Sequence, residues 1–146
     1  MVCSKSFGYA LRGVLYVALM SDQKKRVQVE EIAKRLSVPK HYLGKIMKQV
    51  VKEGILSSTK GPYGGFSVNE FTLETPLINL YKVTDGLGQF NNCVLNLRKC
   101  NASQPCPLHD QIEINRKEWL QIFSKTRIND LINKDEASFI KALATV

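Results

Sequence analysis

No stretch of eighteen consecutive apolar residues occurs in this 146-residue sequence, so no segment reads as a membrane-spanning helix. The opening residues MVCSKSFGYALRG lack the apolar block and small-residue cleavage site of a secretory leader, which makes the cytoplasm the expected location. Internal repeats and low-complexity tracts are missing too. Enzyme signatures are equally absent. The segment Gly61 to Gly65 has neither the lysine nor the strand-to-helix setting of a phosphate-binding loop, and there is no nucleophile elbow and no acid–base pair at motif spacing. Acidic residues are scarce, thirteen Asp/Glu against twenty-one Lys/Arg, which leaves a net charge of +8.

That charge is unevenly spread. Residues 1–70 hold twelve Lys/Arg and five Asp/Glu, whereas residues 71–146 hold nine and eight. The excess in the first half points to a polyanionic partner, nucleic acid or anionic lipid, or else to an ordinary solvated basic face. The helices lack the strong amphipathic moment of a lipid binder, so no membrane partner is expected. With 44% apolar residues the chain can bury a core as one compact domain or as a domain with a dimerising arm.

Phe7, Ala10, Leu11, Val14, Leu15, Ala18 and Leu19 recur at the spacing of one helix face. Ser21 to Lys25 form a polar turn, and Val27-Gln28-Val29 reads as a brief strand. A short helix spans Glu30 to Leu36 and stops before Ser37-Val38-Pro39. A second runs from about Pro39 to Glu53 and ends at Gly54, with Leu43, Ile46, Met47 and Val50 inward. Two helices across a tight turn, the second with a basic outer face, form the helix-turn-helix pattern. Ile55 to Val68 then reads as two short strands around a glycine-rich loop, a wing.

Thr75-Pro76 is expected to cap a helix over Leu77 to Thr84, closed by Asp85-Gly86. Residues 87–107 lack periodicity and read as a long loop. Helical spacing returns over Leu108 to Lys125, anchored by Ile112, Trp119, Ile122 and Phe123. Thr126 is expected to cap a last turn carrying Ile128 and Leu131. The expected fold is mainly α with a small β-wing: a winged helix-turn-helix over 1–86, a cysteine-rich sensor loop over 87–107, and a long dimerisation helix with its tail over 108–146.

Lys40, His41, Lys45 and Lys48 share the outer face of the second helix of the pair, where a major-groove reader needs donors and cations. Solvated surface lysines are the plain alternative, and His41 has no necessary role there. Lys60 and Tyr63 sit in the wing among Gly61, Gly64 and Gly65, placed to meet phosphate or the minor groove. Gly44, inside the helix, costs roughly 1 kcal/mol against alanine.

Four cysteines in a chain expected in the reducing cytoplasm are not structural disulfides. Cys93, Cys100 and Cys106 crowd into fourteen residues, followed three residues later by His109. Soft thiolates with an imidazole suit zinc, copper(I) or an iron–sulfur cluster. Direct thiol or disulfide sensing, and a loop with no chemistry, stay open. Structural zinc usually pairs its cysteines two to four residues apart, and these gaps are six and five. Arg98 and Lys99 beside Cys100 are expected to lower its thiol pKa. Cys3, remote in sequence, reads as a small apolar residue at the first helix.

The paired helices Glu30 to Glu53, the run GILSSTKGPYGGF (Gly54 to Phe66) and the cysteine loop resemble, in that order, the Rrf2 family of bacterial regulators. The likeness runs from the first helix to about residue 132. It implies a homodimeric repressor on a palindromic double-stranded DNA operator. In the branch with a cluster loop it implies a 2Fe-2S cluster on Cys93, Cys100, Cys106 and His109. Two departures stand out. Relatives with the cluster usually place five residues between the first two cysteines, where this chain has six, and Gly8 occupies the position from which some draw an acidic fourth ligand. Gly44 falls where some members carry a base-reading side chain. Outside this family, an electron carrier explains the cysteines but not the basic helix or wing. A winged-helix protein-interaction module explains the fold without DNA.

Overall fold

The Ser4 hydroxyl accepts the amide of Phe7 and opens the first helix, α1, Lys5–Met20, in the computed structural model, which describes residues 3–95, 97–134 and Ala142. The periodicity of α1 is realised: Phe7, Ala10, Val14, Leu15 and Ala18 are buried, with Val17 beside them, while Leu11 and Leu19 stay half-buried. Asp85 takes the amide of Ser4 at 3.0 Å and also its hydroxyl, tying the start of α1 to the fourth helix.

The strand expected over Val27-Gln28-Val29 shrinks to one bridge, Val27 with Phe66, made by two backbone hydrogen bonds of 2.8 Å. Val29 already begins α2, Val29–Leu36. Glu30 and Glu31 in the first turn of α2 favour that early start by meeting the positive end of the helix. Ser37 ends α2 in the left-handed region (φ 54°), and Val38 donates to the carbonyl of Ala33, a reversal that turns the chain within three residues into α3, Lys40–Lys52. Pro39 is the N-cap of α3 rather than its first helical residue, because its carbonyl accepts the first bond of the helix, from Leu43 at 2.9 Å. Gly54 closes α3 at φ 78°.

The wing is β1, Ser57–Thr59, antiparallel to β2, Gly65–Ser67, with Ser57 opposite Ser67 and Thr59 opposite Gly65. The fourth helix, α4, is Leu77–Thr84. Thr75 does not cap it. Its hydroxyl donates to the carbonyl of Phe71 at 2.8 Å, and the orphan amide of Leu77 instead finds the carbonyl of Thr126 at 2.9 Å. Sequence spacing has no access to a partner forty-nine residues away.

After a 3-10 turn at Gly88–Phe90 come α5, His109–Lys125, and α6, Ile128–Lys134. Thr126, expected to cap the last helix, ends α5 in extended conformation, and Asp130 serves the start of α6 by accepting the amide of Arg127 at 2.8 Å. The tail expected beyond residue 134 lies outside the described residues, Ala142 excepted. Among the described residues no helix is long and apolar enough to cross a membrane.

One core unites these elements. Tyr81 of α4, fully buried, meets Phe7 of α1, Phe90 of the 3-10 turn and Phe123 of α5 at ring-centroid distances of 5.4–5.7 Å. Phe7 and Phe123 stack at 5.8 Å. Edge-to-face and offset contacts of this kind contribute about 0.5–1.5 kcal/mol each beyond the area they bury. The cluster therefore fastens the segment that follows the cysteines to the helix that carries the helix-turn-helix pair.

A candidate nucleic-acid interface and a cysteine hairpin

The inner face of α3 buries Leu43, Ile46, Met47 and Val50 against α1 and α2, which turns Lys40, His41, Lys45 and Lys48 outward, all four exposed. Gly13 lets α1 approach closely, since a Cβ there would lie 2.7 Å from Met47 Sδ. Lys40 is not bare: its Nζ pairs with Glu30 Oε1 of α2 at 2.7 Å, and both side chains are more than half exposed. An exposed pair of this kind contributes under about 1 kcal/mol, so a phosphate can replace the carboxylate.

Tyr42 is a surface residue the sequence reading missed. It stands between His41 and Leu43, 42% exposed, with its hydroxyl 2.5 Å from Ser6 Oγ and its ring edge-on to Tyr9, whose face carries Arg12 at 5.2 Å. An aromatic residue at an exposed helix position next to the predicted contacts was the available signal.

The wing presents Lys60 and Tyr63, the latter 87% exposed. Its backbone is tightly built. A Cβ on Gly64 would fall 2.0 Å from the carbonyl oxygen of Thr59, and Gly61 has φ 104°. Gln28, the N-cap residue of α2, donates from Nε2 to the carbonyl of Pro62 at 3.0 Å. The α3 residues and the wing residues thus form two exposed groups joined through the start of α2.

Within the loop expected over 87–107 lies a small hairpin. Asn92 and Lys99 bridge, Cys93 donates its amide to Arg98, and Cys100 donates its amide to Asn91. Arg116 of α5 grips the base of the hairpin through the carbonyl of Asn92 at 2.7 Å. Arg98 reaches across to Gln104.

The four residues expected as ligands come together in two pairs. Cys100 Sγ lies 3.2 Å from His109 Nδ1, at the first residue of α5, and Cys106 lies near enough to the Cys93 thiol to lower its pKa. The amides of Leu95 and Leu97 also point at the Cys93 sulfur. The first of these, then the second, Cys106 and the charge of Arg98 together hold its thiol below the usual range against the opposing effect of burial. Arg98, expected to act on Cys100, acts here on Cys93. Cys3, half-buried against the core, has its thiol pushed up by burial and then by Asp85.

Glu113, one turn beyond His109, joins the second pair: one ligand atom from each of Cys100, His109 and Glu113 lies within 4.8 Å of the others. Sequence reading passed over it although the i, i+4 spacing on a helix was visible. For a 2Fe-2S cluster the donor chemistry fits, three thiols and an imidazole disposed two and two, as two irons require.

Along α5 only Phe123 is buried; Trp119 is 37% exposed and Ile122 54%, with Ile114 and Leu120 exposed beside them. Of the four apolar anchors expected there, Phe123 belongs to the intramolecular core, Ile112 is half-buried, and Trp119 and Ile122 are left open.

Residues 3–134 match the Rrf2 family, described as iron-dependent transcriptional regulators. An HTH-type transcriptional regulator of Aquifex aeolicus is 36% identical over 141 residues, covering 93% of this chain and 94% of that protein. The NsrR regulator of Geobacillus kaustophilus is 23% identical over 131 residues, covering 89% and 88%. Among solved structures, CymR, the global cysteine regulator of B. subtilis, superposes with a TM-score of 0.77 at 15% identity over 93% of this chain and 99% of its own. IscR of T. potens superposes at 0.68, also at 15% identity, over 96% of both. The fold, the basic helix and wing, and a family match over nearly the whole chain agree: the protein belongs to the Rrf2 family of DNA-binding, winged-helix transcriptional regulators and is not an enzyme.

Proposed function

We propose that this regulator is a cytoplasmic homodimeric repressor that reads a palindromic operator with α3 and the wing, and that a 2Fe-2S cluster on Cys93, Cys100, Cys106 and His109 sets its affinity. The observation that carries the DNA part is the split of α3 into a buried apolar face and an exposed face bearing His41, Lys45 and Lys48. Lys40, Lys60 and Tyr63 complete the contact set. Phosphate contacts from the lysines position the protein, while His41 and the wing are placed to read groove edges.

The dimer reading rests on α5, which leaves Ile114, Trp119, Leu120 and Ile122 exposed on an element otherwise joined to the core at Phe123. Several large apolar side chains left exposed on one helix support an association surface there. Division of the chain into a DNA-binding part (1–86), a sensor loop (87–107) and a dimerising part (108–146) follows from this reading.

The disposition of the ligands in two pairs supports the cluster. When bound, such a cluster would supply one-electron redox chemistry and a link between the two ligand pairs that is lost on its disassembly. The chain's own residues carry the consequence: His109 starts α5, Arg116 holds the hairpin, and Phe123 stacks on Phe7 of α1. A change at the hairpin then biases the spacing of the two recognition helices in the dimer, which requires different DNA affinities for the two states.

Iron, acid-labile sulfide and the visible spectrum of anaerobically purified protein test the cluster. About two irons and two sulfides per chain are expected, lost when Cys93, Cys100 or Cys106 becomes alanine. The contact of Cys93 with Cys106 supports a second reading, a cluster-free switch in which a hydroperoxide oxidises the two thiols to a disulfide, taking two electrons and two protons and leaving water and an alcohol. Colourless, iron-free protein that forms this disulfide under peroxide would establish it. Binding to duplex DNA that weakens steeply with salt separates both readings from a protein-interaction module.

A further inference from the structure

We propose that Cys100, His109 and Glu113 form a mononuclear site for a divalent cation of zinc's class, distinct in its ligand set from the cluster site. The thiol, the imidazole and the carboxylate offer atoms all within 4.8 Å of one another, and each is half-buried. Zinc takes sulfur, nitrogen and oxygen ligands at about 2.3, 2.0 and 2.1 Å, which makes a tetrahedral sulfur–nitrogen edge of roughly 3.5 Å. The Cys100–His109 separation of 3.2 Å lies within a few tenths of an ångström of that edge.

The supports of the three ligands are already in place. His109 and Glu113 are one turn apart on α5, so the helix fixes their relative position. Cys100 is held by the hydrogen bond its amide donates to the Asn91 carbonyl at 3.2 Å in the hairpin. Glu113 is paired through Oε2 with Arg116 at 3.1 Å and through Oε1 with Lys117 at 3.8 Å, outer partners that restrict where the carboxylate can point. Binding displaces the thiol proton of Cys100 to solvent. Thiolate, carboxylate and a 2+ ion then sum to zero charge, and a water takes the fourth position. Cys93 and Cys106 take no part, whereas Cys100 and His109 serve both sites, so zinc and a cluster exclude each other on one chain.

The test uses full-length protein, reduced and stripped of metal, titrated with Zn²⁺ against a chromophoric chelator and separately with Co²⁺. One ion per chain is expected, with a thiolate-to-cobalt charge-transfer band that disappears in Cys100→Ser. Glu113→Gln, close in shape, should lower zinc affinity by at least about ten-fold, while Cys93→Ala/Cys106→Ala should leave it unchanged. Thermal unfolding of each variant without metal shows that it is folded. Affinity insensitive to Glu113→Gln, or lost in the Cys93/Cys106 variant, overturns the proposal. The cluster reading fails on a different result, wild-type protein without iron and sulfide, which leaves the zinc titration intact; Glu113→Gln should keep any iron that Cys93→Ala loses.

Discussion

A methyl group placed on Gly65 would lie 2.7 Å from the carbonyl oxygen of Val27, the same carbonyl that accepts the amide of Phe66 at 2.8 Å. The wing is therefore closed onto the segment before α2 by backbone contact as well as by the Gln28 side chain, with Gly65 at φ 143°, where an L side chain is strained. Gly65→Ala should cost about 1–3 kcal/mol from strain and weaken operator binding along with it. Urea titration and DNA binding measure the two, and wild-type values for both would show that the wing shifts freely.

Gly44 of α3 has the opposite character. The nearest atom to a Cβ there is Val29 Cγ2 at 4.0 Å, so alanine meets no obstruction. Gly44→Ala should raise unfolding free energy by about 1 kcal/mol through helix propensity, with the urea slope unchanged. No gain in the midpoint would mean that the helix is already held rigid by its packing.

Lys45 and Lys48 are exposed on α3. Replacing either with glutamine should reduce the slope of log K against log salt by about one for each phosphate contact removed. Binding isotherms at several salt concentrations give the slope directly. An unaltered slope would remove α3 from the DNA backbone.

Phe123 touches Phe7, Tyr81 and Trp119, the last at 5.4 Å. Phe123→Ala should destabilise the chain by about 3–5 kcal/mol, the usual range for emptying a buried aromatic site. Trp119 is the single tryptophan, so its emission should also shift on truncation. Calorimetric unfolding with fluorescence distinguishes this from a cost below 1 kcal/mol, which would place α5 outside the cooperative core.

Glu31 accepts Lys24 Nζ at 2.9 and 3.0 Å and the Tyr16 hydroxyl at 3.0 Å. The bond from Lys24, with help from Tyr16, holds its carboxyl below the ordinary glutamate value. In the unfolded chain the group titrates near about 4.3. Its contribution to stability is complete above that pH and is lost as pH falls through the lower folded value, because the unfolded state takes up the proton first. Wild-type protein should thus lose stability more steeply than Glu31→Gln below about pH 4.3. Parallel acid limbs in the two proteins would contradict it.

Local patterns carried much of this architecture. The three-and-four spacing of Phe7 to Ala18 and of Leu43 to Val50 specifies two buried helix faces, and the glycines after Lys60 specify the wing turn, since each is a property of neighbours in the chain. Where sequence reading failed, the deciding partner was distant. Val27 yields one bridge because Phe66 pairs with it while Val29 already begins α2. Thr75 and Thr126 cap nothing with their side chains because their carbonyls serve the amides of Ile128 and Leu77 across a single backbone bridge.

The chemistry divides in the same way. Which residue types are available, three thiols and an imidazole after a basic helix and wing, is written in the sequence of Cys93 to His109 and of Lys40 to Tyr63. That Cys93 meets Cys106 while Cys100 meets His109, and that Glu113 stands with the second pair, was settled only in three dimensions. The Asn92–Lys99 bridge puts Cys93 and Cys100 on the two arms of a hairpin, and Arg116 docks that hairpin on α5. Spacing along the chain sets how far apart two ligands can be, and backbone hydrogen bonds between remote residues decide which of them meet.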